Sequence, residues 1–174
     1  YLTKKGWAID NMFNIHGEIV YTMKLNDSII TLFGHVEKYT NLLGYYHEAD
    51  AAITLSKGEG WDMPIVDLLG LGIPVLMTDN TAHSEYVNPD YCISKKDHML
   101  EKANDGVFFK GQGNWYNPNL QVCENKIRDF MTHDLSQFWP DDYTAKFDII
   151  KDPKTILLQL ETAITMSEQC HTSK

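Results

Sequence analysis

The segment Ser56–Pro64 concentrates the residue types in this chain that could do chemistry. Gly58 and Gly60 allow the backbone to turn tightly and to approach a ligand closely. A helix beginning at Pro64 would leave its first N–H groups without partners inside the helix, and such groups favour an anion such as phosphate. The segment therefore predicts a backbone site for a negatively charged group.

Two carboxylates accompany this segment. Glu59 lies within it, and Asp67 lies in the first or second turn of the helix that follows. Carboxylates accept hydrogen bonds from hydroxyls, so amides for phosphate beside carboxylates for hydroxyls predict a sugar-nucleotide site. The structural alternative is an ordinary turn before an amphipathic helix, whose acidic residue interacts only with the helix dipole.

The elements around the loop follow a repeating strand and helix pattern. Apolar runs bounded by turn residues predict strands, and apolar spacing of three to four residues predicts helices. The predicted order is strand 29–33, helix 39–50, strand 51–55, helix 64–72, strand 73–77 and short helix 82–87. Such alternation predicts an α/β fold with a Rossmann-like, doubly wound parallel sheet. In this class ligands bind where loops follow the carboxyl ends of the strands, which is the place of Ser56–Pro64.

Beyond Tyr91–Ile93 the pattern weakens into a polar, glycine-containing stretch. We predict a helix from Pro118 to Thr132 and a last helix from Pro153 to about Gln169. The segment Phe138–Pro140 between them is interpreted as a packing turn.

Length and composition limit the classes of function. The 174 residues, 43% of them apolar, predict one globular domain spanning residues 1–174. A net charge of -9 argues against binding to a nucleic acid backbone. No uncharged apolar run is long enough to span a membrane. The chain begins at Tyr1 without a signal peptide or an initiator Met, so we expect it to be a piece of a longer protein.

Metal, disulfide and nucleophile chemistry receive little support. The histidines are scattered without i, i+4 pairs, so no metal site is predicted; His83 is the one nearest the predicted ligand side, with helix-start packing as its alternative. Three widely spaced cysteines predict no disulfide framework and a reducing, cytoplasmic setting. No Gly-x-Ser-x-Gly elbow accompanies Ser56 or Ser84. Trp115 could line a sugar subsite or pack in the core.

The segment Glu59–Asp67, continued by Gly72–Val75, resembles the signature of family 4 glycosyltransferases of GT-B fold. That signature reads Glu-Gly-aromatic-Gly-Leu-Pro, then Glu, then small-x-Gly-x-Pro-Val. The likeness extends upstream to Phe33–Val36 and downstream to Thr78–Val87, so it covers about 60 contiguous residues, from near Ile29 to near Val87. It implies the nucleotide-sugar-binding half of a GT-B architecture.

The resemblance implies specific roles. Glu59, the candidate catalytic residue, would contact donor-sugar hydroxyls near the reacting carbon, and Asp67 would bind the ribose. Further donor-binding positions implied by the loop are Gly58, Gly60, Trp61, Asp62 and Met63. Members of the family transfer a glycosyl group from a nucleotide-diphosphate sugar with retention and without a metal or other cofactor. The acceptor is held by an N-terminal domain, which we expect to be missing from this chain.

The chain departs from the family pattern at three places. Asp67 replaces Glu, which shortens its reach to a ribose. Asp62 replaces the usual Gly, and because its carboxylate would repel a diphosphate we expect it to face solvent or a sugar hydroxyl. The basic pair that holds the diphosphate in the family has no secure counterpart; Lys5 and Lys57 are the candidates, each with a solvated lysine as the alternative.

Two other functions stay open. A non-catalytic, Rossmann-like module could keep the fold and bind a protein partner through its acidic surface. A stand-alone enzyme could act as a dimer in which one subunit supplies the acceptor face.

Overall fold

The computed structural model describes residues 3–15 and 18–139. The chain forms two compact units, one ending at Glu48 and the other beginning at Ala49. The predicted helix from Pro153 to about Gln169 lies outside the described residues.

The unit that ends at Glu48 is an antiparallel meander followed by a helix. After a 3-10 helix (Thr3–Lys5), strands β1 (Ala8–Ile15), β2 (Glu18–Leu25) and β3 (Ser28–Phe33) pair in the order β1-β2-β3, and helix α1 spans Tyr39–His47. Leu25 pairs with Ser28 across a two-residue turn at 26–27, where Asn26 adopts a φ of 54°. Asn is one of the few residues that tolerate this left-handed conformation.

The strand at Ile29–Phe33 is confirmed, but its predicted place as the first strand of the parallel sheet is wrong, because β3 pairs antiparallel with β2. A short apolar run predicts a strand, yet it carries no information on the direction of its neighbour. The Asn26-Asp27 pair between two apolar runs was the available hairpin signal.

The unit that begins at Ala49 contains a parallel sheet. Strands β4 (Ala52–Thr54), β5 (Val75–Asp79) and β6 (Cys92–Ser94) pair in that order, with helix α2 (Met63–Gly70) between β4 and β5. The core strand β5 is buried from Val75 to Thr78. The α/β class is confirmed at this level, as a mixed fold with small sheets, one of them parallel and three-stranded.

Two short 3-10 helices connect β5 to β6. They span Thr81–Glu85, where a helix was predicted at 82–87, and Pro89–Tyr91. The first turn keeps the chain close to the carboxyl end of β5, which is the edge on which the predicted loop lies. This edge therefore carries two loops side by side, one after β4 and one after β5.

A β-hairpin not predicted from the sequence follows β6. After a 3-10 helix (Lys95–Asp97), strands β7 (His98–Asn104) and β8 (Lys110–Pro118) pair antiparallel, and helix α3 (Leu120–Thr132) and a 3-10 helix (Leu135–Phe138) complete the described chain. The α3 helix confirms the prediction for Pro118–Thr132. Asn119 caps it by accepting hydrogen bonds from the amides of Gln121 and Val122.

The predicted packing turn is confirmed for its described residues. Phe138 is fully buried, and its carbonyl accepts a hydrogen bond from Asn88 Nδ2 at 2.7 Å. Trp139 donates its indole N–H to the carbonyl of Gly72 at 3.2 Å. These two bonds attach the end of the described chain to the segments that precede β5 and β6.

The tip of the β7–β8 hairpin is organised by one carboxylate. Asp105 Oδ1 accepts the amide hydrogens of Val107, Phe108 and Phe109 at 2.8, 2.9 and 2.9 Å. These bonds hold the pKa of Asp105 below its usual range. The carboxylate thereby fixes the backbone that carries Phe109.

Replacing Asp105 by Ala should therefore loosen the hairpin tip. Three amides lose their acceptor, so we expect their hydrogen exchange to accelerate at least tenfold relative to the wild type. NMR-detected exchange at residues 107–109 measures this, with Asp105→Asn as the matched control because it keeps a side-chain oxygen. Unchanged exchange in Asp105→Ala would contradict the assignment.

Candidate functional site

A cleft of about 410 Å³ lies between the predicted loop and the hairpin. The loop contributes Ser56–Gly60, with Thr81 beside it, and the hairpin contributes Ala103, Phe109, Asn114 and Trp115. The volume is in the range of small-molecule sites. The loop wall presents backbone groups and the Glu59 carboxylate, and the hairpin wall presents the aromatic rings of Phe109 and Trp115.

The chain leaving β5 fixes the position of the loop. The carbonyl of Ser56 accepts hydrogen bonds from Thr78 Oγ1 at 2.9 Å and from Asn80 Nδ2 at 3.1 Å. The amide of Glu59 donates to Thr81 Oγ1 at 2.9 Å. Because Thr78 and Asn80 are buried, these bonds are shielded from water and hold the loop against the sheet.

Glu59 is oriented within the cleft by Ser56. The Ser56 hydroxyl donates to Glu59 Oε1 at 2.6 Å, a short charge-assisted bond. A carboxylate has about four lone-pair positions, so the group retains capacity to accept hydrogen bonds from a ligand hydroxyl. Glu59 is thus a pre-oriented acceptor on the cleft wall.

Asp62 does not face solvent or the cleft, so the expectation for this residue is wrong. Its carboxylate Oδ2 lies 2.9 Å from Nε2 of His83, whose side chain is completely buried. Asp62 precedes α2 with φ of 58° and ψ of 66°, in the left-handed region, and makes no capping bond to the helix. The backbone conformation explains why a glycine suits this position, and His83 explains why an aspartate is retained here.

Both ring nitrogens of the buried His83 side chain have polar partners. Nδ1 lies 3.1 Å from the carbonyl oxygen of Thr78, and Nε2 lies 2.9 Å from Oδ2 of Asp62. The neighbouring Thr78 hydroxyl donates to the carbonyl of Ser56. His83 therefore links the residue before α2 to the end of β5.

Several amides near the start of α2 have no acceptor in the part of the chain that the structure describes. Within residues 3–15 and 18–139, nothing accepts a hydrogen bond from the N–H groups of Gly60, Trp61 or Asp62. The carbonyl of Trp61 accepts from the Tyr86 hydroxyl, which fixes the orientation of the peptide groups. Gly60 and Trp61 precede α2 and Asp62 is its N-cap, so these amides lie just before the helix N-terminus, whose dipole favours an anion.

Lys57 is engaged by the hairpin. Its ammonium contacts Glu101 Oε1 at 2.5 Å and lies 4.9 Å from the ring centre of Trp115. The indole N–H of Trp115 donates to the same oxygen at 2.6 Å, and Asn117 donates to Oε2 at 3.1 Å. The positive charge of Lys57 is therefore already offset by a carboxylate.

The structure brings some of the predicted site residues together and leaves others apart. Lys57, Gly58, Glu59 and Gly60 line the cleft. The predicted residues that do not line it are Trp61, Asp62, Met63 and Asp67, which continue along the loop and into α2. Lys5 lies in the 3-10 helix of the unit that ends at Glu48.

Sequence reasoning missed most of the second wall. Phe109, Ala103 and Asn114 belong to a hairpin that was not predicted, although Asp105-Gly106 is a known hairpin-turn signal. Trp115 was considered as a sugar-subsite residue, and it does line the cleft. Thr81 had no signal besides its position after a strand.

A larger groove of about 760 Å³ runs along α3, next to Leu55. Its lining is mostly apolar, and its charged residues, Glu124 and Arg128, pair with each other at 2.8 Å. The carboxylate in this lining, Glu124, is paired with a cation, whereas Glu59 is bonded to a neutral hydroxyl. The smaller cleft is therefore the candidate site.

Metal and thiol chemistry have no support in the described part of the chain. Among residues 3–15 and 18–139 there is no group of three or more His, Cys, Asp or Glu residues that could hold a metal ion. Cys92 and Cys123 are not in disulfides, and burial raises the pKa of both thiols. In the same residues, no helix combines the length and the apolar character needed to cross a membrane.

Comparison of the chain with protein-family models, with curated proteins and with solved structures gives no match. The likeness to family 4 glycosyltransferases therefore depends on the residues of Glu59–Val75 and their flanks alone.

Substitutions at Asp62 should separate the effect of its left-handed backbone on stability from the effect of its contact with His83. We expect Asp62→Gly to be about 1 kcal/mol more stable than Asp62→Ala, because only Ala is strained at a positive φ. The free energy of unfolding of Asp62→Asn should be higher than that of both other variants by about 1 kcal/mol or more, because the Asn amide can pair with His83. Urea unfolding measures the order; equal stability of the Ala and Gly variants would contradict the left-handed assignment.

The contact between Glu101 and its donors should be lost in acid. Hydrogen bonds, first from Lys57 and then from Trp115, hold the pKa of Glu101 below its usual range. Because the folded pKa is the lower one, the stabilisation is complete above the unfolded value of about 4.3 and is lost as pH falls through the folded value. NMR of the Trp115 indole N–H should show this step. Glu101→Gln should remove it, and its persistence in that variant would contradict the assignment.

Proposed function

We propose that the unit beginning at Ala49 is the donor-binding part of a retaining glycosyltransferase and that its cleft binds a nucleotide-diphosphate sugar. The observation that supports this most directly is the carboxylate of Glu59, oriented by Ser56 on the cleft wall, next to amides that have no acceptor among the described residues. The three-stranded parallel sheet is, in this proposal, part of a Rossmann-like, doubly wound domain of GT-B type.

The proposed chemistry divides the ligand between two parts of the loop. Glu59 accepts hydrogen bonds from donor-sugar hydroxyls and stabilises positive charge near the reacting carbon. The amides of Gly60, Trp61 and Asp62 bind the diphosphate as the leaving group gains charge. Gly58 and Gly60 let the ligand approach the backbone, and Met63 contributes the first amide of α2.

Asp67 keeps its proposed role as the ribose-binding carboxylate. It lies in α2, about one turn beyond the N-terminus of the helix, and is half-buried. The ribose would then lie outside the cleft lining, on the α2 side of the diphosphate.

Neither Lys57 nor Lys5 is a main phosphate contact in this proposal. Lys57 is offset by Glu101, so a phosphate would have to compete with that carboxylate. For this reason the amides and the α2 dipole, rather than a lysine, are proposed as the main diphosphate contacts. No metal ion or other cofactor is included.

Glycosyl transfer further needs an acceptor held in line with the donor carbon. We propose that another part of the whole protein, an N-terminal acceptor-binding domain, supplies it. The compartment proposed for the protein is the cytoplasm.

Titration calorimetry with UDP, GDP and their sugar conjugates tests donor binding. We expect saturable binding, weakened at least tenfold in Gly60→Val, because the added side chain narrows the cleft. A Cβ at Gly60 would meet no atom within 4 Å, so folding should be unaffected.

Gly70→Val is the matched control. Gly70 ends α2, its added Cβ also meets nothing within 4 Å, and it does not line the cleft. Failure to bind any of these ligands at millimolar concentration would contradict the proposal and favour the non-catalytic module.

A further inference from the structure

We propose that Phe109 and Trp115 on the hairpin wall form a platform for the apolar face of an uncharged sugar ring. This inference rests on the proposed function in one respect, since it takes Glu59 as the group that holds ligand hydroxyls. It goes beyond that function by assigning the sugar ring to the cleft and by naming the residues that contact the apolar face of the ring.

The two walls of the cleft differ in polarity as the two aspects of a sugar do. The loop wall presents the Glu59 carboxylate, and the hairpin wall presents Phe109 and Trp115. A sugar ring carries hydroxyls around its edge and a patch of C–H groups on its face. A ring between the walls can donate hydroxyls to Glu59 and at the same time pack its face on the aromatic side chains.

The charge of the cleft favours an uncharged ligand. Of the charged residues lining it, Lys57 is paired with Glu101, whereas among residues 3–15 and 18–139 the Glu59 carboxylate is bonded only to the neutral Ser56 hydroxyl. Counted together with Glu101, the charged groups at the cleft leave one negative charge in excess, which is unfavourable for phosphate. The diphosphate is accordingly placed at the edge of the cleft where Gly60 lies, at the amides of residues 60–62, and the sugar inside the cleft.

The platform is preorganised. The Trp115 indole is fixed by its bond to Glu101, and the Phe109 ring lies edge-on to it, with centroids 5.8 Å apart and an interplanar angle of 61°. The backbone of Phe109 is held by Asp105. Little conformational entropy is then lost when a ligand packs on these rings. Because the Lys57 ammonium lies over one side of the Trp115 ring, the free surface of the platform is mainly that of Phe109, which is 53% exposed.

Phe108 provides a matched comparison on the same hairpin tip. Its amide is held by the same Asp105 oxygen, but the side chain is 85% exposed and does not line the cleft. Truncation of Phe108 should leave ligand binding unchanged, whereas truncation of Phe109 removes the proposed ligand surface together with its ring contact to Trp115.

The experiment uses the full chain labelled with ¹⁵N at tryptophan and follows the Trp115 indole N–H, assigned with Trp115→Phe. The probes are free glucose, galactose, mannose and N-acetylglucosamine, with uridine and guanosine as free nucleosides. We expect at least one free sugar to shift the Trp115 signal saturably and no nucleoside to do so. Phe109→Ala should weaken that binding about fivefold or more, and Phe108→Ala should leave it unchanged.

The outcomes separate this inference from the proposed function. If nucleotide sugars bind in calorimetry but no free sugar shifts Trp115, or only nucleosides shift it, the platform is overturned and donor binding stands. If free sugars bind with the expected Phe109 dependence while no nucleotide binds, the platform stands and the donor proposal is overturned. Equal effects of Phe108→Ala and Phe109→Ala would also overturn the platform.

Discussion

The candidate site depends on the hydrogen bonds by which the chain leaving β5 holds the loop leaving β4. Thr78 and Asn80 share the carbonyl of Ser56, and Thr81 accepts the amide of Glu59. Parallel strands bring such loops to one edge of a sheet, and buried polar side chains then fix one loop against the other. Without these contacts neither the glutamate nor the free amides would have a defined position.

The pair formed by Asp62 and His83 extends the same attachment to the start of α2. An aspartate in a left-handed conformation is a local strain, and a buried histidine needs a partner for its second nitrogen. The contact gives the buried nitrogen of His83 a partner and stabilises Asp62 in its left-handed conformation. The cost is that the Asp62 side chain is committed to the fold, which leaves ligand contact at this position to the backbone.

The parts of the fold predicted from the sequence are those with local signals. The order β4-α2-β5 follows from apolar runs, from Pro64 near a helix start and from Gly72, whose φ of 80° ends the helix region. The direction of the partner of β3 and the β7–β8 hairpin were missed. Strand partners are set by contacts distant in sequence, and the polar, partly exposed hairpin lacks the apolar alternation that identifies a strand.

The site was predictable to a similar extent. Glu59 and the glycines beside it were recognised from residue type and spacing, and all of them line the cleft. The interaction of Asp62 with His83 was not, because two side chains about twenty residues apart meet only when β5 is paired in the sheet. The engagement of Lys57 by Glu101 was hidden for the same reason, since it requires the hairpin.

The central claim is that a sugar nucleotide binds along the loop from Gly58 to Asp62. The most direct measurement is an amide chemical-shift map of the full chain during titration with a sugar nucleotide such as UDP-glucose or GDP-mannose. The account predicts the largest shifts at residues 58–62 and at Thr81, the acceptor of the Glu59 amide. Shifts confined to the α3 groove, or none up to millimolar ligand, would contradict it.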